Sequence, residues 1–200
     1  MRKIIHVGDV YHTVSMGKGK GIVDGKPYEV LEQISYSMWR IRFLETGYEC
    51  IRHRKNIIAG HVKDPYNKYV CNGVACMGIV PDKTDDTKKL YRMWHALISR
   101  CYNPLYASYK FNRAQGVKVC ERWKCFEYYA QDFYKIPNHK LVLEQPSDYI
   151  VAIKDRFNPL KNDLEYRLDN VEVIYKKEYQ SRSSKYYRNQ QCNIIIDNTI

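Results

Sequence analysis

Arginines at alternate positions are the first chemistry this chain offers. Met38-Trp39-Arg40-Ile41-Arg42-Phe43 carries one pair, and Ile51-Arg52-His53-Arg54 carries another. Side chains two apart share a face of a strand. Each pair therefore points one way, and two such pairs on one sheet would present a basic face to phosphates. Lys18 and Lys20, in Gly17-Lys18-Gly19-Lys20-Gly21, are further candidates for phosphate contact on a glycine-rich turn. That turn lacks the length and the following helix of a phosphate-binding loop, so it reads as a hairpin tip. Farther on, Arg92, His95 and Ser99 recur at helical spacing opposite part of an apolar stripe. They are either a phosphate-facing row or the ordinary wet side of an amphipathic helix. Arg100, Arg113, Lys118, Lys176, Lys177 and Arg182 complete the candidate set for nucleic-acid contact.

The 200 residues carry a formal charge of +11 and a pI near 9.2. An excess of this size points to a polyanionic partner, nucleic acid first among them. Nineteen tyrosines strengthen that reading, because aromatic faces stack on unpaired bases. Seven cysteines, an odd number, argue against a closed disulfide framework and for free thiols in a reducing cytosol. Cys71/Cys76 and Cys120/Cys125 are each spaced C-x4-C, at the outer edge of zinc-ligand spacing. Sulfur filling a core is the simpler reading, and no metal is assigned. The sequence contains no nucleophile elbow, no zinc-binding H-E-x-x-H helix and no apolar run of membrane-spanning length. The expected location is the cytoplasm.

Patterning predicts an α+β chain. Residues 1–66 read as a β-barrel-like module: VGDVYHTV, YEVLEQIS, MWRIRFLE and TGYECIRH are strand-like, with Trp39, Ile41 and Phe43 sharing a face. Residues 67–89 form a connecting segment. A helix then runs from Leu90 to Cys101, capped by Asp85, Asp86 or Thr87 and stopped by Asn103-Pro104. GVKVCERW predicts a short ribbon, KCFEYYAQDFYKI a second helix and VEVIY a strand. KKEYQSRSSKYYRNQ is a basic tail, either a short helix or a loose arm. Trp94, Leu97, Trp123, Phe126 and Phe133 are the predicted core of this second half.

The spelling W-x5-RCYNP…G-x-x-VC-x-x-W…F, carried by Trp94 through Pro104, Gly116 through Trp123 and Phe126, resembles the HNH-type homing-endonuclease-like proteins of bacteriophages. Val7-Gly8-Asp9, Thr46-Gly47-Tyr48-Glu49-Cys50 and Gly60 through Tyr66 are similar to what precedes it in that family. Four or five short strands in residues 1–66 suggest a small SH3- or OB-like barrel, and the resemblance implies an HNH-like module after it. In such nucleases a β-hairpin and helix hold one divalent metal, a His or its replacement activates water, and a downstream Asn holds the hairpin. The family spells this D-[HR]-x-D, then G-x-Y-x-P-x-N-C. The nearest counterpart assigned to the first element is Leu143-Glu144-Gln145, with Glu144 as the acid and Gln145 at the position of the base, followed by an insertion. Asn170 matches the hairpin asparagine, while Leu168 and Val171 replace the family's Pro and Cys. His139 is a further candidate to reach the metal.

A glutamine amide takes up no proton, so the pattern implies a degenerate catalytic element. The leading expectation is a phage-encoded nucleic-acid-binding protein on an HNH-like scaffold, without robust nuclease activity, acting in the host cytoplasm on DNA rather than RNA. It needs no cofactor. One alternative is a metal-dependent nicking endonuclease, which would use Mg2+ or Mn2+. Another is an effector that binds a host protein or ribonucleoprotein complex.

Overall fold

A computed structural model of the chain describes residues 4–14, 25–71, 73–80, 84–113, 115–158, 161 and 163–197, with side chains as far as Asn189. The architecture is mixed α+β, in two compact units, Met1–Asn67 and Lys68–Ile200. Lys18 and Lys20 lie outside the described residues.

The first unit is a four-stranded antiparallel meander, β1 (Val10–His12), β2 (Pro27–Gln33), β3 (Met38–Phe43) and β4 (Glu49–His53), in that spatial order. The alternation in β3 has its expected consequence: Trp39, Ile41 and Phe43 are buried, and Arg40 and Arg42 lie on the other side. Tyr28, Val30, Ile57 and Val62 complete the core. Tyr28 is fully buried, and its hydroxyl donates to the Ile57 carbonyl at 2.6 Å. That bond ties the sheet to the short helix α1 (Arg54–Ile58), whose first turn is capped by the His53 ring, Nδ1 accepting from the Lys55 amide at 3.2 Å. The chain leaves α1 through Gly60 at φ +72°. A Cβ there would sit 2.6 Å from the His12 carbonyl oxygen, so this close approach to the edge strand requires glycine.

The second unit is organised by α2 (Asp85–Tyr102). Thr84, rather than any of the three expected residues, is the N-cap: its hydroxyl accepts from the Thr87 amide at 3.1 Å. Asp85 and Asp86 fall in the first turn, where negative charge complements the helix dipole. Leu90, Trp94, Leu97, Ile98 and Cys101 are buried along one stripe. Ser99 is buried as well, at 1% exposure, which removes it from the wet face expected to hold Arg92 and His95. After α2 come α3 (Tyr109–Arg113), β5 (Lys118–Val119), a 3-10 turn over Glu121–Lys124, α4 (Phe126–Phe133) and α5 (His139–Glu144).

One core unites Trp94, Leu97, Trp123, Phe126 and Phe133. Its polar atoms are paired: the Trp94 indole donates to the Trp123 carbonyl at 2.7 Å, and the Trp123 indole to Asp132 at 3.1 Å. Burial would raise the Asp132 pKa, but hydrogen bonds from Arg122, Lys135 and Trp123 outweigh it and hold the carboxyl at about 2. The stretch expected as a connection, 67–89, is partly core, since Val70 and Ala75 pack into the same cluster.

The C-terminal third is a ribbon and a helix. β6 (Tyr149–Ile153) pairs antiparallel with β8 (Val171–Tyr175), with Tyr149 opposite Tyr175 and Ile153 opposite Val171. Between them β7 (Glu165–Tyr166) runs parallel to β5. The basic tail is helical: α6 (Lys176–Asp197) follows β8 directly.

Candidate nucleic-acid interface

Register decides what the sheet arginines can do. Arg40 lies opposite Glu32, and Arg42 opposite both Glu29 and Glu49. Arg40 Nε is 2.9 Å from the Glu32 carboxylate, and Arg42 is 3.6 and 4.0 Å from Glu29 and Glu49. Arg52 lies opposite Trp39 and so on the other face of the sheet from Arg40 and Arg42. Arg54 has already entered α1. The four arginines therefore do not form one basic face. The two that share a face are matched there by three glutamates, two in β2 and one in β4, whose alignment is fixed only by strand register.

The nuclease-like candidates are also separated. Glu144 and Gln145 end α5 and precede the Tyr149 end of the ribbon, where the Tyr149 amide donates to the Gln145 carbonyl at 3.1 Å. Asn170 sits at the opposite, Ile153 end, its carbonyl accepting from the Lys154 amide at 2.9 Å. A five-residue strand spans roughly 13 Å from first to last residue, so Glu144 and Asn170 cannot share one ion. His139 is committed elsewhere: its Nδ1 is 2.9 Å from the Ile136 carbonyl and its ring packs against Phe133 and Tyr134.

What does join Asn170 is the segment leaving β6, Asp155-Arg156-Phe157-Asn158. It fits the D-[HR]-x-D spelling more closely than Glu144-Gln145, with Asn for the second Asp. It falls inside the stretch expected as an insertion. Asp155 turns the chain at φ +52° and pairs with Lys161 at 2.6 Å. The Asn170 amide donates to the carbonyls of Glu165 and Asp163 at 2.9 and 3.3 Å, pinning the long loop to the base of β8. Arg167 gathers Asp163, Glu165 and Asp169 around one guanidinium. The carboxylates of this loop are thus held by cations.

Arg156 is different. It is half-buried, and its hydrogen bonds go to neutral oxygens: Tyr179 at 3.0 Å, Asn112 at 3.1 Å and Gln115 at 3.3 Å. Its guanidinium lies over the Phe157 ring, 5.8 Å from the centroid. Phe157 packs against Tyr179 and Tyr186 at 5.2 and 5.7 Å between centroids. Together with Arg182 and Lys185 from α6 they line a cleft of about 590 Å3. Arg182 is engaged by Glu172 at 3.1 Å and Glu178 at 2.6 Å, and Lys185 is exposed. A cleft with aromatic walls and cations can stack bases and contact phosphates.

The remaining candidates are scattered. Lys118 pairs with Glu165 at 3.4 Å. Arg113, at the end of α3, and Lys177, in the first turn of α6, are exposed. Lys176 donates to the Pro146 carbonyl at 2.7 Å, and with Arg92 and Arg100 it lines a separate pocket. The C-x4-C partners are not each other's neighbours: Cys76 meets Cys125 across an isolated backbone β-bridge, both thiols being free, and Cys71 lies 3.7 Å from the Ser99 hydroxyl. The hydrogen bond between the Cys76 and Cys125 thiols holds Cys76 protonated and draws the Cys125 pKa downward. Among the described residues no helix is long and apolar enough to cross a membrane. No protein family, curated protein or solved structure matches this chain.

Proposed function

We propose that the second unit binds single-stranded nucleic acid in the cleft between the β6–β8 ribbon and α6, and that it does so without robust cleavage. The observation that carries this is Arg156: a half-buried cation bonded to neutral oxygens, beside an aromatic wall of Phe157, Tyr179 and Tyr186. Among the described residues no ion pair joins it, and the two carboxylates that line the cleft, Asp155 and Glu172, are engaged by Lys161 and Arg182, so a phosphate would supply its counter-charge. The order ribbon, asparagine pin, helix is what the HNH-type resemblance implies, and the four-stranded antiparallel sheet of the first unit is compatible with an SH3- or OB-like module. The carrier is a phage protein, and DNA is the favoured strand.

The chemistry argues against hydrolysis. The Asp155-Arg156-Phe157-Asn158 spelling keeps an arginine that D-[HR]-x-D admits, but Asn158 puts a neutral amide where the second acid would stand. Gln145, at the other end of the ribbon, has no basic atom. Metal-dependent nicking is the rival reading. It predicts Mg2+- or Mn2+-dependent relaxation of supercoiled plasmid, suppressed by chelator and lost in Asn170→Ala.

The test is fluorescence anisotropy with a labelled oligothymidine across a salt series. Affinity should fall as salt rises, with a log–log slope of about 0.7 per phosphate contacted. Phe157→Ala should weaken binding by about 1–3 kcal/mol, the worth of one stacked base. Salt-independent binding, or an unchanged affinity in Phe157→Ala, contradicts the proposal.

A further inference from the structure

A second pocket, of about 300 Å3, opens beside α2. Its size is at the lower end for small-molecule sites. Arg92, Ala96 and Arg100 run along one stripe of the helix at its edge. Lys176 adds a third cation, and among the described residues no Asp or Glu lines the pocket. The floor is apolar, with Met93, Leu97, Val142 and Val151, and Tyr149 stands half-buried in the wall.

The cations here are poorly spent within the protein. Arg100 is half-buried, gives its Nε to the Ala96 carbonyl at a long 3.4 Å and lies 5.9 Å over the Tyr166 ring. Neither Arg92 nor Arg100 has a carboxylate partner among the described residues. This contrasts with the sheet, where Arg40 and Arg42 meet glutamates. Arg92 is exposed and lies about two helical turns, roughly 12 Å, from Arg100 along the same stripe. The half-buried Arg100, beside an apolar floor and without a carboxylate partner among the described residues, is the cation an anion would relieve. The occupant must therefore be anionic at one end and flat or apolar at the other. A guanidinium fork matches phosphate oxygens in two-point contact.

We infer that this pocket binds a nucleotide phosphomonoester: the phosphate lies between Arg92 and Arg100, and the base rests on the apolar floor beside Tyr149. That chemistry occurs in a free nucleoside monophosphate and at the 5′-phosphorylated end of a strand. The inference stands on the pocket's own lining and does not need the cleft of Arg156 to bind anything.

Calorimetric titration of the full chain with thymidine 5′-monophosphate is the test. Thymidine should bind about ten-fold more weakly or worse, because charge-assisted contacts carry the phosphate. Arg92→Gln and Arg100→Gln should each weaken the monophosphate by about ten-fold or more, with the melting temperature recorded for both. Arg92 is exposed, so its variant decides the matter even if Arg100→Gln fails to fold. Phe157→Ala should leave monophosphate binding unchanged, which separates this site from the cleft. Oligothymidine with and without a 5′-phosphate distinguishes the sources. A gain from the phosphate that is lost in Arg92→Gln assigns a strand end; binding of the free monophosphate alone assigns a free nucleotide. Equal affinity for thymidine and its monophosphate, or full affinity in Arg92→Gln, overturns the inference.

Discussion

Arg40 and Arg42 on the first unit's sheet, and Arg156 in the second unit's cleft, are both cations beside aromatic or apolar cores, yet their surroundings differ in kind. The sheet arginines sit opposite Glu29, Glu32 and Glu49 in register, so the face carries its own counter-ions. Exposed cross-strand pairs of this sort contribute about 0.2–1 kcal/mol each to holding the sheet. Arg156 is bonded to a tyrosine hydroxyl and two amide oxygens. Those contacts fix its position, and among the described residues no ion pair joins it. A net charge of +11 says how much positive charge exists; only the pairing says where it is available.

The largest expected effect tests whether the two regions are carried by separate cores. Trp123 is 1% exposed and bonded through its indole to Asp132. Trp123→Ala should cost the second unit about 3–5 kcal/mol. The unfolding of the first unit, followed by a probe near Trp39, should be unchanged; a matching loss there would show one cooperative body.

Next comes the acid limb. Asp132 is the buried counter-example to Arg156, a charge met by Arg122 and Lys135 at 2.7 and 2.9 Å. Its folded pKa of about 2 lies below the unfolded value of roughly 3.9. The stabilisation is therefore complete above about pH 5, worth about 2–3 kcal/mol, and lost as pH falls through about 4 toward 2. Asp132→Asn should be less stable at neutral pH and should flatten this part of the stability profile. An unchanged acid limb in the variant would show that the carboxylate is not what titrates.

A smaller effect is expected at Asn170. Removing two hydrogen bonds to loop carbonyls in Asn170→Ala should cost about 1–2 kcal/mol. Hydrogen exchange should rise in the loop between β6 and β8 and remain constant in the first-unit sheet. Uniform exchange across both would remove the pinning role.

Local features were legible where the physics is local. The period-two run in β3 and the helical stripe of α2 placed Trp39, Ile41, Phe43, Trp94 and Leu97 in cores because burial follows side-chain direction. The single core of Trp94, Trp123 and Phe133 followed from the same reasoning. What escaped depends on partners distant in sequence. The glutamates opposite Arg40 and Arg42 are fixed by strand register. The burial of Ser99 is fixed by helix packing. Cys76 finds Cys125 rather than Cys71 because the bridge is tertiary. The cleft is hidden for a different reason: in the sequence the Asp155-Arg156-Phe157-Asn158 and Leu143-Glu144-Gln145 spellings compete for one role. Only the ribbon, with Asn170 at one end and Glu144 at the other, separates the two alignments.

The most direct test sets the two regions against each other in one binding assay. Labelled oligothymidine is titrated at low salt with the parent chain, with Phe157→Ala and with the double reversal Arg40→Glu/Arg42→Glu. The cleft reading predicts a loss of about 1–3 kcal/mol for Phe157→Ala and a clearly smaller loss for the double reversal. A double reversal that abolishes binding while Phe157→Ala binds like the parent would contradict it and return the strand to the sheet.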